Sequence, residues 1–110
     1  MTQLNKVYSL LGFAAKSGNL VTGYNTCLKL IPPGKLKLLI VAGDVGDNTK
    51  EKFKSKCKTY DVPIRIVGTC EELSRITGKE DKGLFGITDN GFAKGLIEKI
   101  DNQSIEKEVF

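Results

Sequence analysis

The sequence predicts an α/β domain with helices on both faces of a small sheet, largely parallel or mixed. Three observations carry that expectation. Apolar residues recur at helical steps in five segments, and short apolar or β-branched runs fall between those segments. The strongest run, Leu38, Leu39, Ile40 and Val41, has no polar side, as expected of a strand covered on both faces.

Leu4, Val7, Tyr8, Leu11, Ala14 and Ala15 mark a first helix over residues 3–15, ended by Ser17 and Gly18, with Gly18 as a left-handed cap. Leu20 and Val21 leave room for a short strand. The segment TGYNTCLK at residues 22–29 reads as a strand end turning directly into a helix, with Thr22 or Gly23 at the N-cap. That helix reaches about Leu30 and stops at Pro32, Pro33 and Gly34. Residues 35–42 form the central strand. After a polar turn at 44–48, Asp47 or Asn48 caps a third helix over 49–60, whose apolar stripe is Phe53, Cys57 and Tyr60. Residues 61–63 break it and 64–67 form a strand. Thr69 and Glu72 have the spacing of a capping box for a short helix that holds Leu73 and Ile76 and closes at Gly78. A charged turn at 79–82 leads to a strand at 84–88, and Phe92, Leu96, Ile97 and Ile100 define the last helix. We expect one domain over 1–101 and a polar tail over 102–110, without repeat or linker.

Composition limits the function. A chain of 110 residues can bury a core without crosslinks or metal, and 40% hydrophobic with 27% charged residues is close to globular averages. The longest apolar run, 38–42, is far short of a membrane span. Thr2, Gln3, Leu4, Asn5 and Lys6 lack the features of a secretory signal, so a cytoplasmic, membrane-free protein is expected. Cys27, Cys57 and Cys70 are odd in number and widely spaced, which predicts buried structural thiols rather than disulfides or zinc ligands. There is no histidine, which excludes Cys–His catalysis. The turn at 42–47, AGDVGD, is neither a dinucleotide fingerprint nor a phosphate loop, and its two acids supply too few oxygens for a cation site. Glu71 and Glu72 are adjacent and point about 100° apart on a helix, which suits the helix dipole better than acid/base partnership. No catalytic residue, cofactor or metal is therefore expected.

Charge points elsewhere. Residues 1–65 hold 11 Lys or Arg against 4 Asp or Glu (+7), and residues 66–110 hold 6 against 9 (−3), giving the net +4. That asymmetry suits an electropositive side for a polyanion. Within 22–29, Gly23 permits positive φ and close backbone approach, and the amides after it lack helical acceptors and attract anions. Asn25 and Lys29 lie four apart on the solvent face, with Leu28 and Ile31 turned inward, so an amide able to read a base edge stands beside a cation. Lys50, Lys54 and Lys58 flank one side of the third helix's stripe and Lys52 and Lys56 the other, where they read mainly as solvated side chains.

Four ordered segments then resemble one family: GYNTCLK, GKLKLLIVAGDVGDNTKEK, VPIRIVGTCEELSRITGK and GITDNGFAKGL. They look like the kink-turn RNA-binding ribosomal proteins of the L7Ae type, and most like its short bacterial YlxQ-type members, over residues 11–96. The resemblance implies a three-layer α/β/α sandwich with a mostly four-stranded mixed sheet, the L30e-like fold. It also implies binding to RNA bent sharply beside tandem sheared G·A pairs. The expected partners are kink-turn or ribosomal RNA and the ribosome, met by a monomer. By position, Gly23 brings the backbone to the RNA, Asn25 reads a guanine edge, Lys29 is the cation on the same face and Lys16 is a phosphate contact. Val67, Gly68, Thr69, Cys70 and Glu71 would form the loop that cradles the flipped nucleotide, with Val67 as the apolar contact and the Gly68 and Thr69 amides as donors. Tyr24 and Thr26 stand where strong kink-turn binders carry a threonine and a glutamate. Pro32 and Pro33 replace the family's usual charged residues, and Ser74 a common glycine. A protein-interaction module on the same scaffold is the alternative.

Overall fold

A computed structural model describes residues 3–80 and 83–109, with side chains over 5–80 and 83–102. Leu4's side chain and Asp81 and Lys82 of the charged turn lie outside the described residues. Among those described the chain forms five helices and one sheet: α1 (Gln3–Lys16), β1 (Leu20–Thr22), α2 (Tyr24–Leu30), β2 (Leu38–Val41), α3 (Asp47–Thr59), β3 (Ile64–Ile66), α4 (Cys70–Thr77), β4 (Leu84–Ile87) and α5 (Asn90–Val109). The strand order is β1-β4-β2-β3. β4 is antiparallel to both β1 and β2, while β2 and β3 are parallel, so the sheet is mixed and parallel at one pair only.

All four residues of β2 are buried, and the two-residue period of a strand sends them alternately to two cores. Leu38 and Ile40 join Val7, Leu11, Phe85 and Leu96 on the face covered by α1, α4 and α5. Leu39 and Val41 join Cys27, Ile31, Phe53 and Cys57 on the face covered by α2 and α3. These are the three layers that the resemblance implies. Truncating a fully buried side chain such as Ile40 to alanine removes transfer energy and leaves a cavity, at a cost of about 2–5 kcal/mol.

Most boundaries follow local chemistry. Thr69 Oγ1 accepts from the Glu72 amide at 3.2 Å and caps α4, and Gly78 ends it in the left-handed region at φ 71°. The cap of α3 is Gly46 rather than Asp47 or Asn48, and both of these lie inside the helix, where Asp47 meets the positive end of its dipole. Asp89 Oδ2 accepts from the Phe92 amide at 2.9 Å, so α5 begins at Asn90. Its backbone continues to Val109, through the residues expected as tail. Cys27 and Cys57 are buried thiols, and burial pushes Cys57 up to about 11. Cys70 is only partly buried.

One glycine is demanded by packing. Gly83, at φ 102°, sits where an added Cβ would lie 2.6 Å from Val45 and 2.9 Å from Ala42, so the chain enters β4 with no room for a side chain.

An ion pair joins the edge strand to the last helix. Arg65 donates from Nε to Asp101 Oδ1 at 3.0 Å and from Nη2 to Oδ2 at 3.1 Å, which lowers the Asp101 pKa. Because the folded value is depressed, the stabilisation is present above the ordinary carboxylate pKa and is lost as the pH falls through the folded value. Both partners are partly solvated, so Asp101→Asn is expected to cost about 0.5–1 kcal/mol at neutral pH. Denaturant midpoints for the two proteins should converge as the pH is lowered below the carboxylate range.

Candidate nucleic-acid interface

β1, β2 and β3 run the same way and β4 runs against β1 and β2, so the ends of three strands and the start of the fourth share one edge of the sheet. From that edge leave the β1–α2 turn at Gly23, the β2–α3 loop at 42–46 and the β3–α4 loop at 67–69. The structure thus brings Gly23, Tyr24, Asn25, Thr26, Val67, Gly68, Thr69, Cys70 and Glu71 to one end of the molecule.

Gly23 has φ 104° and ψ 148°, a region closed to side chains, and it caps α2 without a side-chain bond. Its amide donates to the Leu84 carbonyl at 3.2 Å, which hangs the turn on β4. The first helical bond runs from the Cys27 amide to the Gly23 carbonyl at 3.0 Å, so the Tyr24, Asn25 and Thr26 amides precede the ladder. Asn25, Thr26 and Lys29 are exposed, while Cys27 and Ile31 anchor the inner side of the helix.

Tyr24 is held by the core. Its ring meets Phe53 edge to face, with centroids 5.1 Å apart at 88°, and Lys52 Nζ lies 5.2 Å from its centroid. At 37% exposure it still shows one border to solvent.

The β3–α4 loop is stitched to its neighbour. The Gly43 amide donates to the Gly68 carbonyl at 2.7 Å, and the Cys70 amide donates to Asp44 Oδ1 at 2.9 Å. Lys50 Nζ donates to the Gly43 carbonyl at 2.6 Å. Asp44's carboxyl is held below its ordinary value, chiefly by the Cys70 amide. Val67 differs from its expected role as an apolar contact: it is 8% exposed and packs in the core beneath α1, α4 and α5. The solvent side of the loop is therefore Thr69 and Glu71. No hydrogen bond donated by the Gly68 or Thr69 amide is found among the described residues.

Lys16 does not join this group. It is exposed at the end of α1, before the start of β1, and beside it stand Arg75 and Gly78 at the far end of α4. Sequence reasoning missed the bracing roles of Asp44 and Lys50, for which the polar turn after the strongest strand was the available signal. Asp44 and Glu80 also line a cleft of about 550 Å³ beside Gly23 and Tyr24, and two carboxylates there disfavour phosphate.

Residues 5–97 match the model of the ribosomal protein L7Ae/L30e/S12e/Gadd45 family. The chain belongs to this family. Among curated members it is similar to RNA-binding protein YlxQ of Enterococcus faecium, 40% identical over 96 residues, covering 87% of this chain and 92% of that protein. It is likewise similar to RNA-binding protein YlxQ of Bacillus subtilis, 35% identical over 86% of this chain and 94% of its relative. Among solved structures, a protein with unknown function from Bacillus halodurans superposes with a TM-score of 0.84 at 38% identity, covering 87% of this chain and 97% of that one. In this L7Ae-family member the two predicted arms lie at one sheet edge.

Asp44→Ala removes the acceptor for the Cys70 amide. Hydrogen exchange at that amide should then speed on the order of tenfold, with exchange in β2 unchanged.

Proposed function

We propose that this protein binds RNA, and that its preferred RNA is a sharply bent element with sheared G·A pairs. The observation that carries the reading is the shared edge: the Gly23 turn and the 67–71 loop stand on either side of a loop bonded to the second of them. A rigid two-armed surface can grip two strands at a bend, whereas one exposed helix grips one. Asn25 supplies a donor and an acceptor for a guanine edge, Lys29 a cation for the adjoining phosphate, and the Tyr24 to Thr26 amides donors at a positive helix end. The Gly68 and Thr69 amides receive the nucleotide displaced at the bend, and Glu71 borders it. Two of its relatives carry RNA-binding names. The role is recognition without catalysis, by a monomer in the cytoplasm that meets ribosomal RNA.

The α3 lysines support this reading over a lysine-led protein interface. Lys50 is bonded to Gly43, Lys52 lies over Tyr24, Lys56 over Tyr60 at 5.8 Å, and Lys54 pairs weakly with Glu51 at 3.8 Å.

Titration against a short kink-turn RNA, and against the same RNA with Watson–Crick pairs in place of its G·A pairs, is expected to show clear preference for the bent form at near-physiological salt. Equal weak binding would refute the specific reading. Affinity for the bent RNA should fall steeply with salt through counterion release. Asn25→Ala is expected to cost about 1–3 kcal/mol for the bent RNA and to flatten the preference, while Lys54→Ala changes little. Equal losses in the two variants would replace the site with a diffuse basic surface.

A further inference from the structure

A groove of about 550 Å³ runs between α1 and α4, lined by Tyr8, Gly12, Phe13, Lys16, Arg75 and Ile76 among others. Phe13 is 61% exposed, the most open of the large apolar side chains among the described residues. It lies three residues from Lys16 on one helix face, and Arg75 reaches the same groove from α4. No carboxylate is among its lining residues, in contrast to the cleft beside Gly23, and the nearest, Glu72, lies against Tyr8 at the end toward the 67–71 loop, away from Phe13 and Lys16. At its other end Tyr8 abuts the candidate interface: an added Cβ at Gly68 would lie 2.7 Å from the Tyr8 hydroxyl. Tyr8's ring is thus continuous with the loop at 67–71, and α4 leads from that loop to Arg75.

We infer that this groove is a second RNA surface, which takes an unpaired nucleotide with its base on Phe13 and its phosphates on Lys16 and Arg75. The inference rests on the RNA reading above. An exposed aromatic ring between two cations matches the way single strands are held, by stacking that any base can satisfy and by backbone charge. The guanidinium of Arg75 can also stack or fork onto a phosphate. A protein partner would need a broad apolar centre, and this groove presents one exposed ring over a partly buried Ile76. The arrangement also accounts for Lys16 standing apart from the Gly23 edge: it serves RNA that leaves the bent element.

The test uses the full chain and a single-stranded oligoadenylate decamer at low salt, followed by amide chemical shifts. Movement at Gly12, Phe13, Lys16 and Gly78 is expected, with binding weakened roughly fivefold or more in Phe13→Ala. Arg75→Gln should lower the salt slope by about one. Both variants should keep wild-type affinity for the bare kink-turn RNA, which also reports that they are folded. Shifts confined to residues 23–29 and 67–71, or none, overturn the groove and leave the bent-RNA reading standing. Loss of bent-RNA preference with groove shifts retained overturns that reading and supports the groove. Shifts in the groove with an acidic amphipathic peptide but not with the decamer would assign it to a protein and overturn the proposal.

Discussion

A strand that must bury both faces constrains everything around it. β2 has apolar residues at every position, so water has to be kept from both sides and both edges have to find partners. Helices satisfy the faces and β4 and β3 satisfy the edges. Because β4 runs antiparallel and β3 parallel, the open ends of β1, β2 and β3 emerge together. The edge that carries the candidate site is a consequence of how the central strand is covered.

That edge is braced by bonds between its loops, which an ordinary surface loop lacks. The Gly43 to Gly68 and Cys70 to Asp44 bonds tie neighbouring loops, and Tyr24 rests on Phe53, a residue of the buried core. Groups already in position lose less freedom when they meet a ligand, and the affinity they contribute is correspondingly less diluted. The same arrangement makes Tyr24 part of the fold as much as of the site. Swinging that ring out to follow a base would give up its contact with Phe53, whereas stacking on the border it already presents would not.

Local signals in the sequence carry much of the fold. The periodicity of α1 and α4, the Thr69 to Glu72 cap, the Gly78 stop and the exposed Asn25 and Lys29 pair all depend on neighbours within four residues, the range over which helical spacing operates. The N-cap of α3 is not written in the local spacing, because Gly46 caps without a side-chain bond and Asp47 and Asn48 are good residues in a first turn as well as at a cap. What spans the chain was not legible. The resemblance assigns Lys16 a phosphate contact beside Gly23, yet the intervening strand β1 sets the two at opposite ends of that strand. Asp44's acceptor role needs residue 70 beside it, and Val67's burial needs α1 and α5 in place. Neither is written in spacing.

The hydrogen bond from Gly23 to Leu84 has a bearing on biogenesis. The turn that begins α2 is made early, but the strand it hangs from, β4, is the last to leave the translating ribosome. β1 has no other partner in the sheet, since its one neighbour is β4. A nascent chain carrying only the first 80 residues therefore has every side chain of the β1–α2 segment, and its packing on Phe53 and β2, but lacks the β4 backbone from which β1 and the Gly23 turn hang. The backbone of that edge is therefore complete only once β4 has been made, although its residues are among the first in the chain.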